Sequence, residues 1–158
     1  KIKLMTTRHL TLEDCQAVAD LETQLFDGRF DVAGLRALLG KPAFYGAVLP
    51  ASDMPTTIYA YCLAYITFMQ ADIIAIGTEK TKQRQGFGQI ILKHLIGVAA
   101  QHNVAEITLE VAADNTPARR LYDSCGFYVS GIRKDYYCRG EGRCDAVIMV
   151  RQRDSAFP

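Results

Sequence analysis

The stretch Gln83-Arg84-Gln85-Gly86-Phe87-Gly88 constrains the fold of this chain more than any other. It joins a β-rich region to a long helix, and glycines at such a junction bring the backbone close to a ligand. The first N–H groups of the following helix lack intrahelical partners, and with the helix dipole they form an anion site suited to a pyrophosphate. Arg84 can add charge-assisted bonds to phosphate oxygens. The same glycines also suit a helix start that merely tolerates them, so the loop alone leaves both readings open. Neither common nucleotide loop is present. Ile91 stands where G-x-G-x-x-G has its third glycine, and there is no G-K-[ST].

The flanking elements follow from periodicity. Residues 2–6 alternate and predict a short strand. Thr11 followed by Asp14 is a capping-box-like start, and Val18, Leu21 and Leu25 recur behind it, predicting a helix over 11–26. Asp27-Gly28-Arg29 breaks it, and a second helix runs from Asp31 to Gly40, before Lys41-Pro42. Segments 43–49, 57–68 and 71–78 are strands separated by short gaps, which predicts an antiparallel meander. Phe87, Ile91, Leu95 and Val98 mark one apolar face of a helix over 86–101. A strand over 107–111 follows, then a helix opened by Asn115-Thr116-Pro117 and stopped at Gly126. Strands over 127–137 and 146–151 close the chain. The order β-α-α-β-β-β-α-β-α-β-β packs most simply as an α+β sandwich, a mostly antiparallel central sheet with helices on both faces.

The 158 residues fit a single domain over 1–158, and a chain of this size buries a core without a metal or disulfide. A hydrophobic fraction of 49% excludes a disordered tail, and a net charge of +1 excludes the global basic field of a general nucleic-acid binder. No run approaches the ~20 apolar residues of a membrane helix. Cys15, Cys62, Cys125, Cys138 and Cys144 are odd in number and irregularly spaced, and no secretory segment opens the chain. They are expected to be free thiols in a cytoplasmic protein. Cys138 and Cys144, close in sequence, suit either a redox or metal role or a plain hairpin. No His/Cys group has metal-ligand spacing, so no metal is expected. His94, His102 and Glu106 are expected to be exposed polar groups.

Residues 83–88, Leu109-Glu110-Val111, Asn115, Ala118, Leu121-Tyr122 and Gly126-Phe127 together resemble the GNAT superfamily of acetyl-CoA-dependent N-acetyltransferases. Arg133, Tyr136-Tyr137, Gly142-Arg143, Asp145-Ala146 and Ile148-Met149 extend the resemblance to its RimI-type ribosomal-protein alanine acetyltransferases. The likeness is dense over 72–149 and thinner over 1–70. It implies the GNAT fold and a pyrophosphate cradle made by Gln83, Arg84, Gln85, Gly86, Phe87, Gly88 and Gln89. It also implies backbone donors for the thioester at Ile76, Gly77 and Thr78, with Gly77 at a bulge or a close backbone approach. Glu110 is implied as general base and Tyr122 as general acid. This chain departs from the family at Ala112, where Arg is usual, and at Phe26-Asp27-Gly28-Arg29-Phe30, where relatives often carry Pro-Trp.

The chemistry fits those residue types. An attacking amine must be neutral, and an α-amino group has a pKa of about 7.7–8.0 against about 10.4 for lysine. A carboxylate at a strand end can deprotonate an N-terminus near neutral pH, whereas a lysine costs roughly 3 kcal/mol more at about 1.36 per pKa unit. Tyr122, on the next helix, can protonate the leaving thiolate. Asn115 suits both an N-cap and a bond to the cofactor arm. Arg133, Tyr136 and Tyr137 are expected at the peptide site, although strand alternation sends the two tyrosines to opposite faces. The implied partners are acetyl-CoA and a protein N-terminus, the N-terminal alanine of a small-subunit ribosomal protein foremost. A monomer is expected, with a weak dimer as the alternative. Neither a nucleic acid nor a membrane is an expected partner. Two rivals remain: a GNAT enzyme for a small-molecule amine such as a polyamine, aminoglycoside or amino acid, and a non-catalytic acyl-CoA-binding module.

Overall fold

The computed structural model describes residues 5–154. Its sheet has seven strands: β1 (Arg8–His9), β2 (Phe44–Pro50), β3 (Ile58–Thr67), β4 (Gln70–Thr78), β5 (Glu106–Ala112), β6 (Tyr128–Arg139) and β7 (Gly142–Gln152). Four helices accompany them: α1 (Cys15–Phe26), α2 (Val32–Leu39), α3 (Phe87–Gln101) and α4 (Thr116–Ser124). The spatial order is β1-β2-β3-β4-β5-β7-β6. Only β4 and β5 pair in parallel, so the sheet is mostly antiparallel as the spacing predicts. Helix α3 makes the crossover that a parallel pair requires.

Strand alternation divides the core in two. One face carries Ala60, Cys62, Ile73, Leu109 and Val111 against Ile91, Leu92 and Leu95 of α3 and Tyr122 of α4. The other carries Val48, Tyr61, Leu63 and Ala75 against Val18 and Leu21 of α1 and Leu35 and Leu38 of α2. No helix among the described residues is long and apolar enough to cross a membrane.

The N-terminus differs from the periodicity. Of the strand expected over 2–6, residues 1–4 lie outside the described residues, and residues 5 and 6 are not in a strand. Pairing starts at Arg8↔Val48 and His9↔Ala47, where β2 offers a partner, and Leu10 N–H continues it to the Gly46 carbonyl. The first helix opens with a 3-10 turn at Leu12–Asp14 before α1. Asp14 accepts from Thr11 N–H at 2.8 Å and from both terminal nitrogens of Arg8 at 2.6 and 2.8 Å. Burial pushes the Asp14 carboxyl up, but these bonds outweigh it and hold it below the ordinary carboxylate range.

His94 is half-buried rather than exposed. Its two ring nitrogens meet the Thr7 and Tyr45 hydroxyls at 2.7 Å each, tying α3 to the opening segment and β2. The five cysteines are free. In the β6–β7 hairpin Cys138 pairs with Arg143 and Cys144 with Tyr137, so the two thiols point to opposite faces and form no site together.

Candidate active site

The sheet splits beside its parallel pair. β4 pairs with β5 only from Gln70↔Glu106 to Ile73↔Leu109, while β5 continues with β7 through Ala112. A β-bulge starts the split: Leu63 pairs with Ala75 and Ala64 with Ile73, leaving Ile74 as the extra residue. Its carbonyl accepts from Arg29 at 2.5 Å. Beyond the bulge β4 follows β3 and leaves β5. The Glu79 N–H bonds to the Tyr59 carbonyl. By antiparallel alternation Gly77 then faces β3, while the polar backbone groups of Ile76 and Thr78 face the gap. The Gln83 amide donates to the Thr78 carbonyl on that side at 3.2 Å.

Of the two alternatives at Gly77, a bulge or a close backbone approach, the structure has the second, and the bulge lies at Ile74; the Gly77 N–H, turned toward β3, is not among the donors facing the gap. A Cβ there would sit 2.7 Å from the Tyr61 ring and hydroxyl.

On the α3/α4 face the split opens into a groove of about 730 Å³. Ile76, Gly77, Thr78, Gln83, Arg84, Gly86, Gly88, Gln89, Asn115 and Tyr122 line it, as the sequence leads one to expect. Arg84 and Gly86 both adopt left-handed backbone, φ 59° and 89°. Such alternation turns successive N–H groups toward one concavity. The first bond of α3 runs from Ile90 to Gly86, leaving the Phe87, Gly88 and Gln89 amides without helical acceptors. A Cβ on Gly88 would lie 3.1 Å from a Leu121 methyl, so glycine keeps α3 and α4 close at the groove floor. Amides, dipole and absent side chains fit a diphosphate carrier.

Two expected residues are not among the lining. The Gln85 amide turns back to the Thr81 carbonyl at 3.0 Å, and the Phe87 ring packs on Tyr59 at 5.4 Å. Sequence reasoning missed Leu25, Phe26 and Arg120, which also line the groove. Arg120 had a usable signal, since it follows Pro117 by three residues on the helix that Asn115 caps. Asn115 itself accepts from Ala118 N–H at 3.3 Å while lining the groove, so capping and ligand contact coexist.

Glu110 is the first β5 residue past the split. With Thr108 it faces the α1/α2 side, opposite Leu109 and Val111. A second pocket lies there, about 490 Å³, lined by Arg29, Phe30, Asp72, Glu110, Arg133 and Tyr137 among others. Arg133 Nε stands 3.2 Å from Glu110 Oε1 and keeps the carboxylate's charge partnered. Thr108 donates to Asp72 on the pocket floor.

The pairing of β6 with β7 is interrupted here. Arg133 opposes Ala146 and Tyr137 opposes Cys144, so three residues bulge out opposite Asp145. Asp135 takes φ 52°, and its N–H is held by the Asp145 carboxylate at 2.9 Å. Arg133 and Tyr137 share a face, as residues four apart in a strand do, because the two extra residues leave the alternation parity unchanged. Tyr136 does not line the pocket. It stands edge-on to Tyr137 at 5.1 Å with Arg133 over its ring.

Tyr122 is 6% exposed, on the groove side. Burial pushes its phenol well above the ordinary tyrosine value, with Cys62 and Tyr137 adding to the rise, so it remains protonated. The Tyr137 phenol is raised by burial too, with Arg29 opposing and Glu110 adding to the rise. A carboxylate on one side of the split and a protonated phenol on the other can serve a group transfer that needs a base and an acid.

A model of the acetyltransferase (GNAT) family matches residues 16–127. The chain belongs to that family. The Escherichia coli K12 [ribosomal protein bS18]-alanine N-acetyltransferase is 39% identical over 91 residues, 58% of this chain. That match spans 62% of the relative's length. The Mycobacterium tuberculosis N-alpha-acetyltransferase RimI is 33% identical over 98% of this chain and 95% of its own. The crystal structure of the ribosomal-protein-S18-alanine N-acetyltransferase from Escherichia coli superposes with a TM-score of 0.86 at 27% identity, covering 98% of this chain and 97% of that one. The GNAT fold expected from the motifs is therefore the fold of this protein.

Proposed function

We propose that this GNAT protein, acting as a single-domain monomer, transfers acetyl from acetyl-CoA to the N-terminal amine of a protein. The acceptor is the N-terminal alanine of ribosomal protein bS18. The observation that carries the reading is the split between β4 and β5, with an anion-binding groove on one face, a charged pocket on the other, and Glu110 at the vertex. The names of the Escherichia coli and Mycobacterium tuberculosis relatives support the acceptor class.

In this reading the amides opening α3, with Arg84, bind the diphosphate, and the Ile76 and Thr78 backbone orients the arm and the thioester carbonyl. Acetyl-CoA supplies the activated acyl group. Glu110 takes one proton from the incoming α-ammonium group, and the neutral nitrogen then attacks the thioester carbonyl. As the C–S bond breaks, Tyr122 gives its proton to the departing sulfur, and the proton shed by the acylated nitrogen restores the phenol, leaving the amide and CoA thiol. Asn115 steadies the arm, and Arg133 and Tyr137 border the peptide, with Tyr136 behind them.

The test is CoA release against peptides varied at the first two positions, beside polyamine and aminoglycoside panels. The reading expects turnover of an alanine-starting ribosomal peptide above the others. No turnover of any N-terminal peptide removes it, and turnover of a polyamine alone assigns a small-molecule acceptor. Acetyl-CoA binding without amine-dependent CoA release assigns a non-catalytic module.

A further inference from the structure

Glu22 is 0% exposed, in the core between α1 and the sheet. Its Oε1 accepts from the Tyr61 hydroxyl at 2.5 Å, and its Oε2 has no partner among the described residues. A fully buried carboxyl with one oxygen unserved costs stability, and such a cost is characteristic of functional positions. Tyr61 stands directly across from Gly77, and its ring lies where a Cβ of residue 77 would be. Gly77 lines the groove between the two residues whose backbone faces the gap. The contacts form one chain: α1 holds Glu22, Glu22 holds the Tyr61 phenol, and the Tyr61 ring backs the β4 segment at the thioester end of the groove. Beyond the bulge that segment has no β5 partner, so its position depends on β3 and on what presses from behind.

We infer that Glu22 and Tyr61 are positioning residues for acetyl transfer, a buried strut that fixes the Ile76–Thr78 backbone where the thioester carbonyl is received. The inference rests on the acetyl-CoA reading of the groove. The strut acts on the thioester end and not on the diphosphate, which the loop at 83–88 holds from the far side. Loss of the strut therefore lowers kcat and leaves CoA affinity intact. Because the two side chains act through one hydrogen bond, their effects do not add.

The experiment compares wild type with Glu22→Leu, Tyr61→Phe, the double variant and Glu22→Gln. It reads kcat, the KM for acetyl-CoA, CoA affinity by calorimetry, melting temperature, and hydrogen exchange of the Gly77 amide. Either single variant and the double each lose about tenfold in kcat, with KM and CoA affinity within about twofold. Gly77 exchange rises about tenfold. Glu22→Gln, whose amide oxygen still accepts the phenol proton, regains most of the loss. The double variant, which replaces a hydrogen-bonded pair by apolar groups of similar shape, melts at or above the wild-type temperature. A double variant with wild-type kcat overturns the inference, as does multiplication of the two single losses or a parallel loss of CoA affinity. A wild-type protein that turns over no acceptor sinks the acetyl-transfer reading instead. Gly77 exchange then decides the strut alone, and unchanged exchange in Tyr61→Phe removes it.

Discussion

The two faces of the split sheet are built from different materials. The α3/α4 groove is made of backbone and small residues drawn mainly from two short stretches, 76–89 and 115–122. The opposite pocket is made of polar and charged side chains, Arg29, Asp72, Glu110, Arg133 and Tyr137, brought from four separate segments. A shared carrier with a constant diphosphate suits a site of fixed amides. An acceptor suits a site assembled from exchangeable side chains. Arg29, in the loop over 26–30, belongs to the pocket.

The largest effect expected is on Glu110, the residue that joins the two faces. Glu110→Gln lowers kcat by about 10²–10⁴, the usual range for a general base, with the KM for acetyl-CoA little changed. A wild-type rate at pH 7 removes Glu110 as base. Tyr122→Phe falls in the same range from the groove side, read as kcat against acetyl-CoA affinity. Lost affinity with kcat preserved would make Tyr122 a binding residue. Gly88→Val forces a side chain against Leu121, 3.1 Å from the new Cβ, and raises the KM for acetyl-CoA by about tenfold, since about 1.4 kcal/mol of lost binding is a factor of ten. Its acceptor KM stays put, and a rise there breaks the division of labour. Arg29→Ala does the converse. It frees the Ile74 carbonyl and raises acceptor KM by about fivefold, on the order of 1 kcal/mol for one lost hydrogen bond, without moving CoA affinity.

The smallest effect is a limb missing from the pH profile. Burial raises the Tyr122 phenol, so its proton is retained as pH rises through the ordinary tyrosine value near 10. The kcat profile against an N-terminal peptide rises with pH as the amine loses its proton, and no fall assignable to Tyr122 follows up to pH 10. A fall near pH 10 that Tyr122→Phe abolishes would show an unshifted phenol.

The same contrast explains what the sequence revealed. The groove was legible because glycines, a helix start and Asn115 act within a few residues of one another. The element order was legible from periodicity, since strand and helix patterns are local. The pocket was not. Arg29 reaches Ile74 across 45 positions, and no spacing rule marks that pairing. Gly77 was expected at a bulge or a close backbone approach; it is the close approach, and the bulge falls at Ile74, where the mismatch between β3 and β4 decides it. Tyr136 and Tyr137 part as strand alternation predicts, Tyr137 lining the pocket and Tyr136 not, but no local pattern announced the three residues that bulge opposite Asp145. His94 was read as exposed because its partners, Thr7 and Tyr45, lie on segments remote from α3.

The divergence of β4 from β5 has a thermodynamic consequence. Strand edges without a neighbour are costly in a compact protein, and a pantetheine arm lying along them would complete the ladder. Folding and ligand occupancy then become one linked equilibrium. Carrier at a hundred times its dissociation constant would add about 2.7 kcal/mol to the native state. Thermal endurance of this protein would thus track the free acyl-carrier pool around it, falling first when that pool is drained.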